Sequence, residues 1–167
     1  MFTYNEIVRL FGGAVAVLVA LLATVRYRRF VYGGVEVGEA FVTLLTGLRR
    51  HIAVSGAPID KYMSDLKDGP LCEYGFYDEY RACGRLSVAF SRVRSRLYLP
   101  EGMAAELSAV FERLGRSDVS GELRLLDAEI SELGRMGKKF RAEAEGSVRA
   151  VSVMIVAVTL GILILLL

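Results

Sequence analysis

The sequence predicts an all-α protein, an antiparallel helical bundle lying between an N-terminal and a C-terminal transmembrane helix. Three observations predict it. Two uncharged apolar runs, Leu10–Val25 and Val151–Leu167, bracket the chain. The residues between them place apolar side chains at helical spacings of three and four, and no segment sustains the alternation of a half-buried strand. The expected division is a transmembrane helix over residues 7–29, a soluble bundle domain over 32–148 and a second transmembrane helix over 149–167.

The apolar runs contain 16 and 17 residues. At about 1.5 Å per residue they span roughly 24 and 26 Å, slightly less than a hydrocarbon core of about 30 Å. Snorkelling of flanking side chains and local thinning of the bilayer close that gap. Arg9 ends the first run on one side and Arg26, Arg28 and Arg29 on the other, with Tyr27, Phe30 and Tyr32 forming an interfacial aromatic cluster. No small-x-small cleavage site precedes Arg26, so the run reads as a retained anchor rather than a secretory signal. Lys138, Lys139, Arg141 and Arg149 precede the second run. Only Arg9 lies on the far side, so the positive-inside rule predicts a cytoplasmic middle with both termini outside. Cys72 and Cys83 fit neither a metal spacing nor a Cys-x-x-Cys pair and suit a reducing compartment. Gly12, Ala16, Ala20 and Thr24 recur every four residues, and Ala157 and Gly161 repeat the pattern, which predicts close helix packing in lipid. Neither run holds an ionisable residue in its middle, so no ion path is expected through this chain alone.

Between the anchors, Val37–Val54 reads as a helix with Phe41, Leu44, Leu45, Leu48 and Ile52 on one face, and Gly33-Gly34 reads as a hinge before it. Ser55-Gly56-Ala57-Pro58 breaks the chain, and Pro58 is placed to open a short helix carrying Ile59, Tyr62, Met63 and Leu66. Asp68-Gly69-Pro70 stops it. The acidic and aromatic stretch Leu71–Tyr80 matches no periodic template. Helical spacing resumes over Arg81–Leu99 through Ala82, Leu86, Ala89, Phe90, Val93 and Leu97. Pro100 opens the next helix, with Met103, Leu107, Val110, Phe111 and Leu114 inward and Gly115 as its stop. After N-cap candidates in Arg116–Ser120, Leu123, Leu126, Ile130, Leu133, Gly137, Phe140 and Ala144 form a seam that continues without proline into the last apolar run. Gly134, Gly137 and Gly146 each weaken that helix by about 1 kcal/mol relative to Ala, which marks them as places for a kink.

The chemistry on offer is sparse. Residues 30–148 hold 16 Lys and Arg against 18 Asp and Glu, a net of −2, so the +2 of the whole chain sits at the membrane flanks. Nucleic-acid binding lacks its electrostatic footing. His51 is the single histidine, which leaves a His-based triad or zinc site without its ligands. Gly12-Gly13 lacks the Lys-Ser/Thr of a phosphate loop. Asp78-Glu79 reads as a solvated loop, and Arg92, Arg94 and Arg96 spread around a helix and solvate it. No catalytic, metal or cofactor residue is assigned.

Leu44-Leu45-Thr46-Gly47-Leu48-Arg49-Arg50-His51-Ile52 followed by Ser55-Gly56-Ala57-Pro58-Ile59, then Phe111-Glu112-Arg113-Leu114-Gly115-Arg116-Ser117-Asp118, and the tail Leu160-Gly161-Ile162-Leu163-Ile164-Leu165-Leu166-Leu167 carry a resemblance. With two terminal anchors around a helical domain, the chain resembles the stage III sporulation protein AB family. It departs from that family at Arg50-His51, where an acidic residue often precedes the isoleucine, and at Leu71–Tyr80. The family is similar to the cytoplasmic domain of the type II secretion inner-membrane F protein. The resemblance implies a non-enzymatic platform component of a channel complex in the mother-cell membrane during sporulation. It also implies a cytoplasmic secretion-type ATPase partner, like stage III sporulation protein AA, and further membrane subunits.

Read from the residues alone, a membrane-anchored sensor or adaptor unrelated to secretion is the alternative. A lipid-modifying enzyme would need polar or metal-binding residues at the membrane ends, where only Arg and Lys occur. In a bundle with both anchors at one end, the turns at Val54–Pro58 and Gly115–Ser120 fall together at the membrane-distal tip, roughly 30–40 Å out by helix rise. Arg49, Arg50, His51, Arg116 and Asp118 collect there as the expected partner-binding surface.

Overall fold

The computed structural model describes residues 4–56, 59–66 and 68–166, without the side chains of 4–11, 16, 163, 165 and 166. All regular elements among the described residues are helical: α1 (Tyr4–Ser55), α2 (Ile59–Asp65), α3 (Pro70–Glu73), α4 (Phe76–Cys83), α5 (Leu86–Val93), a 3-10 turn (Arg94–Arg96), α6 (Glu101–Arg113) and α7 (Val119–Leu166). The chain forms two compact units, one of Gly33–Arg141 and one of Met1–Tyr32 with Ala142–Leu167.

The core of the Gly33–Arg141 unit is built on four phenylalanines from four helices. Phe41 of α1 meets Phe76 of α4 and Phe90 of α5 edge-on, with ring centroids 5.2 and 5.4 Å apart. Phe111 of α6 closes the group at 5.9 Å from Phe41, 6.1 Å from Phe76 and 5.4 Å from Phe90. Edge-on and tilted rings set positive edges against negative faces, adding about 0.5–1.5 kcal/mol per pair beyond area burial. Around them lie the face expected for α1 (Phe41, Leu44, Leu45, Leu48, Ile52), Met63 of α2, Met103, Leu107 and Val110 of α6, and Leu126 and Leu133 of α7, all buried.

Three local features differ from the sequence-based expectation. The stretch Leu71–Tyr80 is helical: α3 and α4 meet at Gly75, whose φ of 75° reverses the chain as few other residues can. Phe76, Tyr77 and Tyr80 then point inward while Asp78 stays exposed, so Asp78-Glu79 sits on a helix and not in a loop. The single helix expected over Arg81–Leu99 is two. Gly84 ends α4 in the left-handed region at φ 65°, its N–H donating to the Tyr80 carbonyl at 2.7 Å, and Arg85 is extended before α5. The break leaves Ala82 exposed and rotates Leu86, Ala89, Phe90 and Val93 into the core.

The third lies at Gly33-Gly34, where α1 is helical without a break. Gly34 also serves close approach. A Cβ at Gly34 would sit 2.6 Å from the Tyr98 carbonyl oxygen and 3.4 Å from the Phe140 ring. Tyr98 itself is held at φ 52°, a left-handed conformation that costs a non-glycine residue about 1–2 kcal/mol. At Gly47 the Tyr62 hydroxyl fills the space a Cβ would need. Pro58, expected to open α2, lies outside the described residues.

Two ion pairs show that α1 and α7 run in opposite directions through this unit. Arg49 forks onto both carboxylate oxygens of Asp127, the second bond at 3.0 Å, and Arg141 reaches Glu39 at 2.7 Å. Between α6 and α7, Arg113 pairs with the buried Glu129. Helix α7 passes Gly134, Gly137 and Gly146 without interruption.

In the other unit, one face of each helical segment is shielded and the rest is bare. Gly13 is buried and Ala20, Thr24 and Tyr27 half-buried, as are Ile155 and Thr159, while Ala144 and Val148 are fully buried. Leu21, Leu22, Met154 and Ile164 are 62–72% exposed. The Val119–Ile162 part of α7 is long and apolar enough to cross a membrane by length and composition, and its most apolar window is only 6% buried. A core helix would be shielded on all sides.

Gly34→Ala is expected to destabilise the chain by about 1–3 kcal/mol, because backbone rather than a flexible side chain blocks the new methyl. Tyr98→Gly in the same background should recover part of that loss by freeing the opposing backbone. Thermal melting of the full chain in detergent tests this, and an unchanged melting point for Gly34→Ala would refute the close-contact account.

The Glu106 carboxyl is raised above its ordinary range by hydrogen bonding to the Glu129 carboxylate, then by burial and the Glu129 charge, with Arg113 opposing. A carboxyl raised in the folded state stabilises the fold fully below its unfolded pKa, and that stability is lost as pH rises through the folded value. Glu106→Gln should therefore stabilise the protein at neutral pH and converge with the parent in acid. Melting curves across pH 3–8 that stay parallel for the two proteins would show that the carboxyl pair is not coupled.

Candidate functional site

A cavity of about 630 Å3 opens where the start of α2, the α4–α5 turn and the end of α6 meet. Ile59, Leu86, Phe111 and Leu114 give it an apolar floor, and Asp60, Tyr80, Arg85, Glu112 and Arg116 supply its polar groups. The Tyr80 hydroxyl donates to Asp60. Burial, followed by that bond and the Asp60 charge, pushes the Tyr80 phenol well above its usual value, so it stays protonated and Asp60 stays occupied.

The two arginines stand on fixed backbone. Arg85 follows left-handed Gly84, and its carbonyl accepts from the Ala89 N–H at 3.0 Å and the Cys83 thiol at 3.4 Å. Arg116 lies in the α6–α7 loop, just after Gly115 at φ 83°. On either side of it the Gly115 and Ser117 N–H groups donate to Oε1 of Glu122 at 2.9 and 3.0 Å. Glu122 is only 6% exposed, and its Oε2 is buried without a partner among the described residues. Asp118 then caps α7, accepting from the Gly121 N–H at 3.2 Å and the Ser120 hydroxyl at 2.6 Å. The Ser120 bond, then the Gly121 bond, hold the Asp118 carboxyl below its usual range. Both arginine side chains are exposed, and among the described residues neither has a carboxylate partner.

The residues expected at the tip are distributed over four places. Arg49 and Asp127 lock α1 to α7, their mutual hydrogen bond raising the guanidinium and lowering the carboxyl. Asp118 is a helix cap. Arg50 lines a separate shallow depression of about 400 Å3 with Gly47, His51, Val54 and Tyr62. His51 is half-buried 5.4 Å from the Tyr62 ring, with its Nε2 buried and unpartnered among the described residues. Arg116 alone of the five lines the larger cavity. Asp60, Tyr80, Arg85 and Glu112 were not singled out from sequence. The Gly84-Arg85 step, a glycine breaking an otherwise continuous apolar face, was the legible signal for one of them.

Of the expected membrane-packing positions, Ala20 lies on the shielded face, whereas Gly12, Ala157 and Gly161 are exposed and take no part in the contact within their unit. The side chain of Ala16 lies outside the described residues. No group of three His, Cys, Asp or Glu side chains converges for a metal among the described residues. Comparison of the chain with protein-family models, curated proteins and solved structures finds no match.

Glu122→Ala removes the acceptor for two loop amides and should cost about 1–3 kcal/mol. Hydrogen exchange is expected to quicken at Gly115 and Ser117 while amides of Phe41 and Phe90 stay protected. Unchanged exchange at the loop would show that Glu122 does not hold it.

Proposed function

We propose that this chain is a membrane-anchored, non-enzymatic platform whose helical domain docks a cytoplasmic partner. The observation that carries the reading is the continuity of α7, which starts at a capped, charged loop and ends in a nearly bare apolar segment. The start of α7 is thus suited to water and its last part only to lipid, since apolar area on this scale is not left in water. The exposed Leu21, Leu22 and Val25 of α1 support a second anchor antiparallel to the first. In this reading residues 32–148 form an antiparallel cytoplasmic bundle, and the arginines flanking each apolar run hold both termini outside. The resemblance to the stage III sporulation protein AB family supplies the setting: a mother-cell membrane complex with a secretion-type ATPase and other membrane subunits.

Two measurements test it. Membrane-impermeant thiol labelling of intact cells should reach cysteines introduced beside Met1 and Leu167 but not one replacing Asp118; labelling at position 118 would invert the topology. The full chain in detergent should retain a stage III sporulation protein AA-like ATPase on co-purification, and joint charge reversal at Arg50 and Arg116 should weaken that retention. Reversal at Arg96, exposed and unpaired among the described residues, is the matched control, since Arg94 is tied to Glu101. Equal retention by both variants would remove Arg50 and Arg116 from the docking interface.

A further inference from the structure

We infer that the cavity between Arg85 and Arg116 receives an acidic segment of a partner protein, anchored by an apolar side chain. The inference rests on the reading of this chain as a docking platform and adds the chemistry of what docks.

In the Gly33–Arg141 unit, Arg49, Arg81, Arg92, Arg94, Arg113, Arg135 and Arg141 each pair with a carboxylate of the chain. Arg50, Arg85, Arg96, Arg116 and Arg124 do not among the described residues, and of these Arg85 and Arg116 line one cavity from two different turns. Neither stands on slack backbone. The carbonyl of Arg85 is bonded twice, and both amides flanking Arg116 are held by a buried Glu122. Fixing the backbone beneath an unpaired guanidinium lowers the ordering cost when a carboxylate arrives. The fork geometry of arginine then favours a carboxylate bound by two parallel bonds.

The rest of the lining narrows the ligand. Asp60, which accepts from the Tyr80 hydroxyl, and Glu112, exposed and without a partner among the described residues, both border the same space. A concentrated dianion such as pyrophosphate would meet that charge, whereas carboxylates spaced along a peptide can reach the arginines and avoid it. Half-buried Ile59 and Leu114, with the edges of buried Leu86 and Phe111 beneath them, have no use for a small hydrophilic anion but suit contact with a phenylalanine or leucine side chain. The occupant is therefore a protein segment with acidic residues around one apolar anchor.

The test uses the full chain in detergent and three dye-labelled peptides: Asp-Glu-Phe-Asp-Glu, its lysine counterpart Lys-Lys-Phe-Lys-Lys, and the anchorless Asp-Glu-Gly-Asp-Glu. Fluorescence anisotropy should show saturable binding of the first, weaker binding of the third and none of the second. Joint Arg85→Glu and Arg116→Glu should weaken the acidic peptide by about tenfold or more and confer binding of the lysine peptide. Glu112→Gln should tighten the acidic peptide, and Arg96→Glu should leave it unchanged. Circular dichroism matching the parent keeps a loss from being read as unfolding. Absence of saturable binding at millimolar peptide, equal binding of all three peptides, or competition by pyrophosphate as effective as by unlabelled peptide would each overturn the site. Those results concern the cavity alone, while failure of the ATPase to co-purify beside intact peptide binding would instead remove the proposed partner.

Discussion

Phe41, Phe76, Phe90 and Phe111 arrive from four different helices, and each ring touches at least two of the others. Three of the four helices are short: α4 and α5 have 8 residues each and α6 has 13. Helices of that length are marginal alone in water, because nucleation is unfavourable and few bonds follow it. Their persistence depends on burying these rings, at about 1.5–3 kcal/mol for each fully buried side chain. The left-handed glycines at 75 and 84 let α4 sit between its neighbours so that Phe76 reaches the cluster.

Close packing around that centre explains features that look wasteful in isolation. Tyr98 holds a left-handed backbone so that its carbonyl can pass beside Gly34, and Tyr62 lodges against Gly47. Both contacts bring elements onto α1 where no Cβ intervenes. Strain at one residue is tolerated when the surrounding packing over-determines its conformation. Glycine in α1 would otherwise be a defect costing about 1 kcal/mol per position.

Outside the core, charge is used in two ways. Most arginines of the Gly33–Arg141 unit end on a carboxylate, and the Arg49–Asp127 and Arg141–Glu39 pairs set the relative register of α1 and α7. Exposed pairs of this kind contribute little stability and chiefly select among alternatives. The unpaired arginines stand apart from that pattern, and two of them share a cavity whose flanking backbone is hydrogen-bonded into place. Glu122 shows the cost of such placement, since its second oxygen is buried without a donor among the described residues.

The apolar faces of α1, α5, α6 and α7 were legible because helical periodicity is a local property: Phe41, Leu45, Phe90, Phe111, Leu126 and Leu133 repeat at the spacing of a helix and are buried. The Gly115 stop and the capped start of α7 followed from the same local chemistry. Leu71–Tyr80 was not legible, since α3 is a single turn and α4 two, too short for a period to emerge. The close approach at Gly34 was not legible for a different reason, since it depends on where the Tyr98 carbonyl lies. The cavity depended wholly on tertiary structure. Asp60, Arg85 and Arg116 lie 25 or more residues apart, and nothing in their local sequence states that three turns converge. Which arginines are paired is likewise a three-dimensional fact, because Arg49 finds its carboxylate 78 residues away while Arg116, two residues from Asp118, does not bind it at all.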